Sequence, residues 1–341
     1  MPDVVTGLLG RFSFSITWIL AAGIAIASGS IFLVLPASGF RIDLEHLGAG
    51  VAAVGLVLFA LAAVTIGVTM ATLSTALYQI LEGYLWWRPS WRHAGIERHQ
   101  WKRQHLAWRI QELKEPGTLE ADLLREKLRR YPANEKQIAP TAFGNAMRAF
   151  ETYGADRYHL DSQTLWMELQ SVIPRELQAE VAGSRVGIDF FVAMVYLSTV
   201  YGASALALAS WDSISSSHQR NVILLVQGVV FLLPVPFLCY RAAIFATAYH
   251  ASAVQAMVNI GRLKLAEALA LAMPPGFEEE LVLWRTLCRF VDNRTAVVPL
   301  QELDKFRAQV QSEAVGKYVS RRPTRRQPSA TPRRSAEDAP Q

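Results

Sequence analysis

The side chains with chemical capacity crowd into one string, PTAFGNAMRAFETYGADRYHLDSQTLW, from Pro140 to Trp166. Arg148 and Glu151 stand three apart on a predicted helix and can pair, Gly144 admits a second backbone, and Asn145 offers both donor and acceptor. With Arg157, Tyr158 and Asp161 they form a candidate polar cluster of two possible kinds. One is a set of caps, an ion pair and a hydroxyl that fixes how helices dock; the other is a site in which Asn145, Arg148, Arg157 and Asp161 converge on an anionic ligand. No nucleophile and base occur at a recognisable spacing, so the docking role carries more weight. A second stripe, Thr65, Thr69, Thr72 and Gln79, recurs at helical spacing and leads to Glu82. It could line a water-filled path, although threonine hydroxyls in membrane helices more often bond their own backbone.

Other chemistries find little footing. His93, His99 and His105 are six apart, which does not put two on one helix face, so no metal site is expected. Cys239 and Cys288 form no paired-ligand spacing, and no glycine-rich phosphate loop or nucleophile elbow occurs. No cofactor is expected, and an enzyme of unrecognised type is the least favoured class.

These residues sit in a chain of 341, 51% apolar and only 18% charged, a balance that points to a lipid bilayer. Lys and Arg match Asp and Glu at 27 each over residues 1–316, and the last 25 residues hold 7 basic against 2 acidic side chains. The net charge of +5 therefore belongs to a tail, and a nucleic-acid-binding globule is excluded. Of the 34 basic residues 27 are Arg, which suits a GC-rich bacterial genome.

Four uncharged runs predict four membrane helices: 16–35, 51–81, 190–211 and 221–240. A cleaved signal ending near Ala37 competes for the first, but its apolar region would be too long. Pro234 and Pro236 should kink the fourth helix, and Ala242 to Gly261 reads as its continuation, so spans two and four should be long rods. Eleven Lys and Arg, from Arg11 to Lys264, flank the predicted inner ends, against Arg41 and Arg220 outside. The N-terminus (1–15), a helical domain (82–188), a helical extension (241–320) and the tail (321–341) are thus expected in the cytoplasm, with loops 36–50 and 212–220 outside. Tyr84, Trp86, Trp87 and Trp91 supply an aromatic belt where span two leaves the lipid. The fold class is all-α: a polytopic membrane protein with helical cytoplasmic parts between spans two and three and after span four.

Within 82–188 the pattern predicts helices from Trp91 to Glu115, from Thr118 to before Pro132, from Thr141 to about Tyr153, and from Asp161 to before Pro174. The first carries Leu106, Ile110 and Leu113 on one face and Trp101 and Trp108, seven apart, on another, and so wide an apolar face implies a partner surface. After Gly261, Leu263 to Met273, Phe277 to Val291 and Pro299 to Tyr318 read as further helices. The tail is expected to be disordered, and Arg321, Arg322, Arg325, Arg326, Arg333 and Arg334 are candidates to contact anionic lipid. Small faces at Ala21, Ala25 and Gly29, and at Ser198 and Gly202, favour close helix packing and a homo-oligomer.

The central string, with QILEGY (Gln79 to Tyr84) and YRAAIFATAYHASAVQAMVNIGRLKL after span four, resembles an uncharacterised family of four-span integral membrane proteins of actinobacteria and related bacteria. That family's pattern is P-T-x-x-G-N-x-x-R-A-x-E, then R-Y-G-L-D, then L-W. Pro140, Thr141, Gly144, Asn145, Arg148, Glu151, Arg157, Tyr158, Asp161, Leu165 and Trp166 match it, and His159 stands where the family has Gly, which leaves a tight turn there in question. The resemblance runs from Leu77 to about Arg289 and implies a fold and a membrane address without an activity. The function expected is a non-catalytic assembly or regulatory module acting on a cytoplasmic protein partner; the alternative is an oligomeric channel lined by span two. The topology predicts that reporters fused at Gly39 and at Ser215 both read as external; a cytoplasmic signal at either site contradicts it.

Overall fold

The computed structural model describes residues 17–25, 27, 29, 49–113, 117–212, 218–292 and 303–307, and among these the ordered structure is entirely helical. The described helices include α1 Ala49–Glu82, α2 Pro89–Glu112, α3 Leu119–Leu128, α4 Ala142–Glu151, α5 Tyr153–Tyr158, α6 Trp166–Val172, α7 Arg175–Asp212, α8 His218–Leu232, α9 Pro234–Ala268 and α10 Phe277–Asp292. Among the described residues three stretches are long and apolar enough to cross a membrane: Ala53–Glu82, Arg175–Ser210 and Leu224–Ala268. Residues 17–25 of the first expected span are helical and lie against α1, where a side chain at Gly67 would meet the Ile19 backbone at 2.6 Å. The rest of that span, the loop before α1, residues 213–217 of the second loop, most of the expected last helix and the basic tail with its six candidate arginines lie outside the described residues.

The helix-forming signals act as their chemistry requires. Thr118 accepts from the Ala121 amide at the start of α3, and Thr141 accepts from the Gly144 amide at the start of α4. Gly83, at φ +89°, closes α1 in the left-handed cap conformation that glycine adopts without steric cost. Leu233 separates α8 from α9 because Pro234 and Pro236 lack the amides that would continue the ladder.

The helix bounds refine the expectations at one end and correct them at another. The helix that contains the third expected span already begins at Arg175, so residues 175–188 extend it into a 38-residue rod of about 57 Å. Its charges resemble a loop, but Val181, Ser184 and Ile188 recur at helical spacing and are buried, which holds this extension in register. The rods expected for spans two and four are present, α1 at 34 residues and the α8–α9 pair, and α7 is a third of similar length. Downstream, α9 runs through Gly261 to Ala268, so Leu263 opens no separate helix; Gly261 instead faces Leu169 and Ile173.

The core runs along α7 and α9, and α4 and α6 pack on the extended part of α9. Phe143, Leu160, Leu169, Met257, Leu283 and Trp284 are buried there, each worth about 1.5–3 kcal/mol relative to exposure. Gly202 lets α7 and α8 touch, since a side chain there would lie 2.5 Å from the Leu232 amide nitrogen. The α2–α3 arm packs against the 131–140 segment: Arg103 donates to Glu135 and to the Ala133 carbonyl at 2.7 and 2.8 Å, and His99 bonds Tyr131 at 3.1 Å.

Burial, with Lys102 and Arg98 nearby, pushes the His99 imidazole from an ordinary 6.5 down to about 4. Between those values the unfolded chain holds a proton that the folded arm refuses, so the arm weakens as pH falls from about 6.5 to about 4 and is insensitive above that window. Hydrogen exchange, corrected for intrinsic rates, should give α2 amides a lower opening free energy near pH 5 than near pH 7. The same comparison in His99→Leu should be flat; a wild-type arm equally protected at both pH values contradicts the assignment.

Candidate functional site

The segment from Ala139 to Asn145 is where the inserted domain is fastened to the membrane helices. Thr141 caps α4 and also donates to the Leu81 carbonyl at 2.7 Å, in the last turn of α1. The Asn145 side chain, 1% exposed, folds back on this segment: its amide donates to the Ala139 and Thr141 carbonyls at 2.8 and 2.7 Å, and its oxygen accepts from the Ala139 amide at 2.9 Å. The Phe143 amide donates to the Tyr240 hydroxyl of α9. Gly144 is required because a side chain there would meet the Glu82 carbonyl oxygen at 2.8 Å.

The six cluster residues do not converge on one ligand. Asn145 is consumed by this clasp. Arg148 donates through Nε to the Tyr84 hydroxyl at 3.0 Å and lies 3.8 Å from Glu151. Tyr158 and Tyr153 both donate to the Asn259 side-chain oxygen on α9, and Arg262, paired with Glu280, covers the Tyr158 ring. Asp161 caps the turn into α6, accepting from the amides of Gln163 and Thr164 and from the Thr164 hydroxyl. Arg157 is exposed, on a separate cleft of about 830 Å³ that Arg103, Arg125 and Arg129 also line. The turn in question at His159 is present: its φ of 56° puts a non-glycine residue in the left-handed region.

The threonine stripe is exposed on α1. Thr65, Thr69 and Thr72 each donate to the carbonyl four residues earlier, at 2.7–2.8 Å. Gln79 is exposed as well, and Glu82 is half-buried at the end of α1.

Several important side chains lie on the hidden extension of α7 and on α9. Tyr78 of α1 donates to the buried Asp189 carboxylate at 2.6 Å, and the Arg185 guanidinium lies over the Tyr78 ring and 3.8 Å from Asp189. With the Tyr196 hydroxyl donating to the Leu77 carbonyl, these contacts tie α1 to α7. Ser184 meets His250 at 2.9 Å, and the His250 ring stands edge-on to Phe150. Next to them a cavity of about 330 Å³ is bounded by Glu151, Gln163, Arg185 and His250, from α4, the α5–α6 turn, α7 and α9. Burial pushes the Glu151 carboxyl above its ordinary range, and the Arg148 and Arg185 guanidiniums draw it partly back. The clue to Arg185 and Asp189 was their spacing of four beside a span; the clue to His250 was its position as the one histidine in the Ala-rich stretch Ala242 to Gly261.

No family of proteins, no curated protein and no solved structure matches this chain.

Proposed function

We propose that this chain is a four-span protein of a bacterial cytoplasmic membrane, both ends inside, that acts as a non-catalytic assembly or regulatory module through its helical domain. Membrane residence is supported by the three long apolar helices among the described residues, and the orientation by the basic residues at their inner flanks. The family resemblance of the central string supports the same address.

One observation carries the functional reading: the aromatic face of α2. Trp101 and Trp108 are 64% and 50% exposed, and His105 stacks between them at ring separations of 5.1 and 5.5 Å. This ladder lies on a helix whose other exposed side chains include many charged ones, such as Arg92, Glu97, Arg98 and Arg109. Exposed tryptophans in such an array are typical anchors of a protein interface, since each removes a large apolar area from water at a small cost in side-chain freedom. The partner on this reading is a cytoplasmic protein. The channel reading draws less support, because the threonine hydroxyls are already bonded to their own helix.

Photo-crosslinking in intact cells tests the proposal. A benzophenone amino acid at position 101 or 108 should give the same discrete protein adduct, absent when the probe replaces the exposed Lys127 of α3. No adduct from either tryptophan position, or an equal one from Lys127, contradicts the reading. Conductance of the purified chain in planar bilayers, altered by Thr69→Val, would replace it with the channel.

A further inference from the structure

The cavity between the inserted domain and the rods contains an unusual set of unfilled polar groups. His250 is 1% exposed. Ser184 has one hydroxyl proton and donates it to the Val181 carbonyl at 3.0 Å, so its oxygen accepts from His250 Nδ1. In the neutral imidazole Nε2 is then a bare lone pair, and that atom is buried with no hydrogen-bond partner among the described residues. Such an atom calls for a donor.

The neighbouring groups are partly open to solvent, the Arg185 side chain 42% and that of Glu151 22% exposed, and have hydrogen-bonding capacity to spare. The Arg185 guanidinium makes no hydrogen bond among the described residues; its nearest anion, Asp189, is 3.8 Å away and already accepts from Tyr78. The Glu151 carboxylate has Arg148 at 3.8 Å and no closer hydrogen bond among the described residues, and Gln163, exposed to solvent, lines the same space. One cation, one anion, an acceptor and an amide thus face a single space. The remaining walls, Trp166, Phe150 and Met147, are apolar.

We propose that this cavity binds a small zwitterion, an α-amino acid with an apolar side chain. Its carboxylate meets Arg185 and the Gln163 amide, its ammonium donates to Glu151 and to His250 Nε2, and its side chain lies along Trp166, Phe150 and Met147. A simple anion would leave Glu151 and the imidazole lone pair opposed to it, and a simple cation would face Arg185. A volume of about 330 Å³ is at the small end of ligand pockets, which run from about 300 to 1,000 Å³, and so favours an amino acid over a nucleotide. Because the lining comes from the inserted domain and from α7 and α9, occupancy would tie them together, independently of whatever docks on the tryptophan face.

The test is calorimetric titration of the full chain in lipid nanodiscs with L-leucine, L-methionine and L-phenylalanine, using 4-methylpentanoate and 3-methylbutylamine as half-ligands. At least one amino acid should bind saturably at one site per chain, and each half-ligand should bind about tenfold more weakly or worse. Arg185→Gln and His250→Leu should each weaken binding by about tenfold or more. Gln163→Leu, at an exposed position, should weaken it with an unchanged melting temperature, which separates lost binding from lost folding. The proposal is overturned if the folded wild type binds none of the three at millimolar concentration. It is equally overturned if a half-ligand binds as well as its amino acid, or if Arg185→Gln and Gln163→Leu melt like the wild type and keep its affinity.

Discussion

The structure depends on how backbone polar groups are satisfied where α1 ends. A helix leaving a bilayer exposes carbonyls that need partners, and an irregular segment packed against it brings more of its own. Asn145 and Thr141 meet both needs. One asparagine closes three hydrogen bonds within 139–145, and one threonine hydroxyl serves the α4 amides and the α1 carbonyls together. Left unmade in a buried setting, each such bond costs about 1–3 kcal/mol, so loss of the asparagine alone is a large fraction of a domain's net stability.

Everything else is positioned from that clasp. With α4 held at the end of α1, its apolar side meets α9, and Tyr240 reaches the Phe143 amide from the same rod. The turn through His159 then returns the chain so that α6 packs on α9 near Gly261. On the other flank α1 and α7 have little contact surface, and Tyr78, Asp189 and Tyr196 join them through polar bonds. A buried carboxylate is tolerated here because a hydroxyl donates to it and a guanidinium lies nearby. The cavity is left over where these independently fixed elements fail to close on one another.

Much of this was legible in the sequence, and the failures share a cause. Thr118, Thr141, Asp161, Pro234 and Gly202 act locally, through caps, missing amides or missing side chains, and local chemistry reads directly from residue type. The all-helical class followed from periodicity. The extension of α7 was hidden because Arg175, Glu176, Glu180 and Arg185 give its first turns a loop-like composition, while its buried stripe depends on α9, far away in sequence. The six cluster residues looked like one site because they are close in sequence; two tight turns, at Thr152 and His159, send them in different directions. Conversely, Glu151, Arg185 and His250 come together only through tertiary packing, and no spacing rule joins them.

The claim that one clasp unites the inserted domain with the rods is most directly tested by hydrogen exchange of the full chain in nanodiscs, comparing the wild type with Asn145→Ala. The account predicts that amides of 143–150 in α4 and 250–258 in α9 open with one common free energy, and that the substitution lowers both together by about 2 kcal/mol or more. Faster exchange in 143–150 alone, with 250–258 as protected as before, would contradict it.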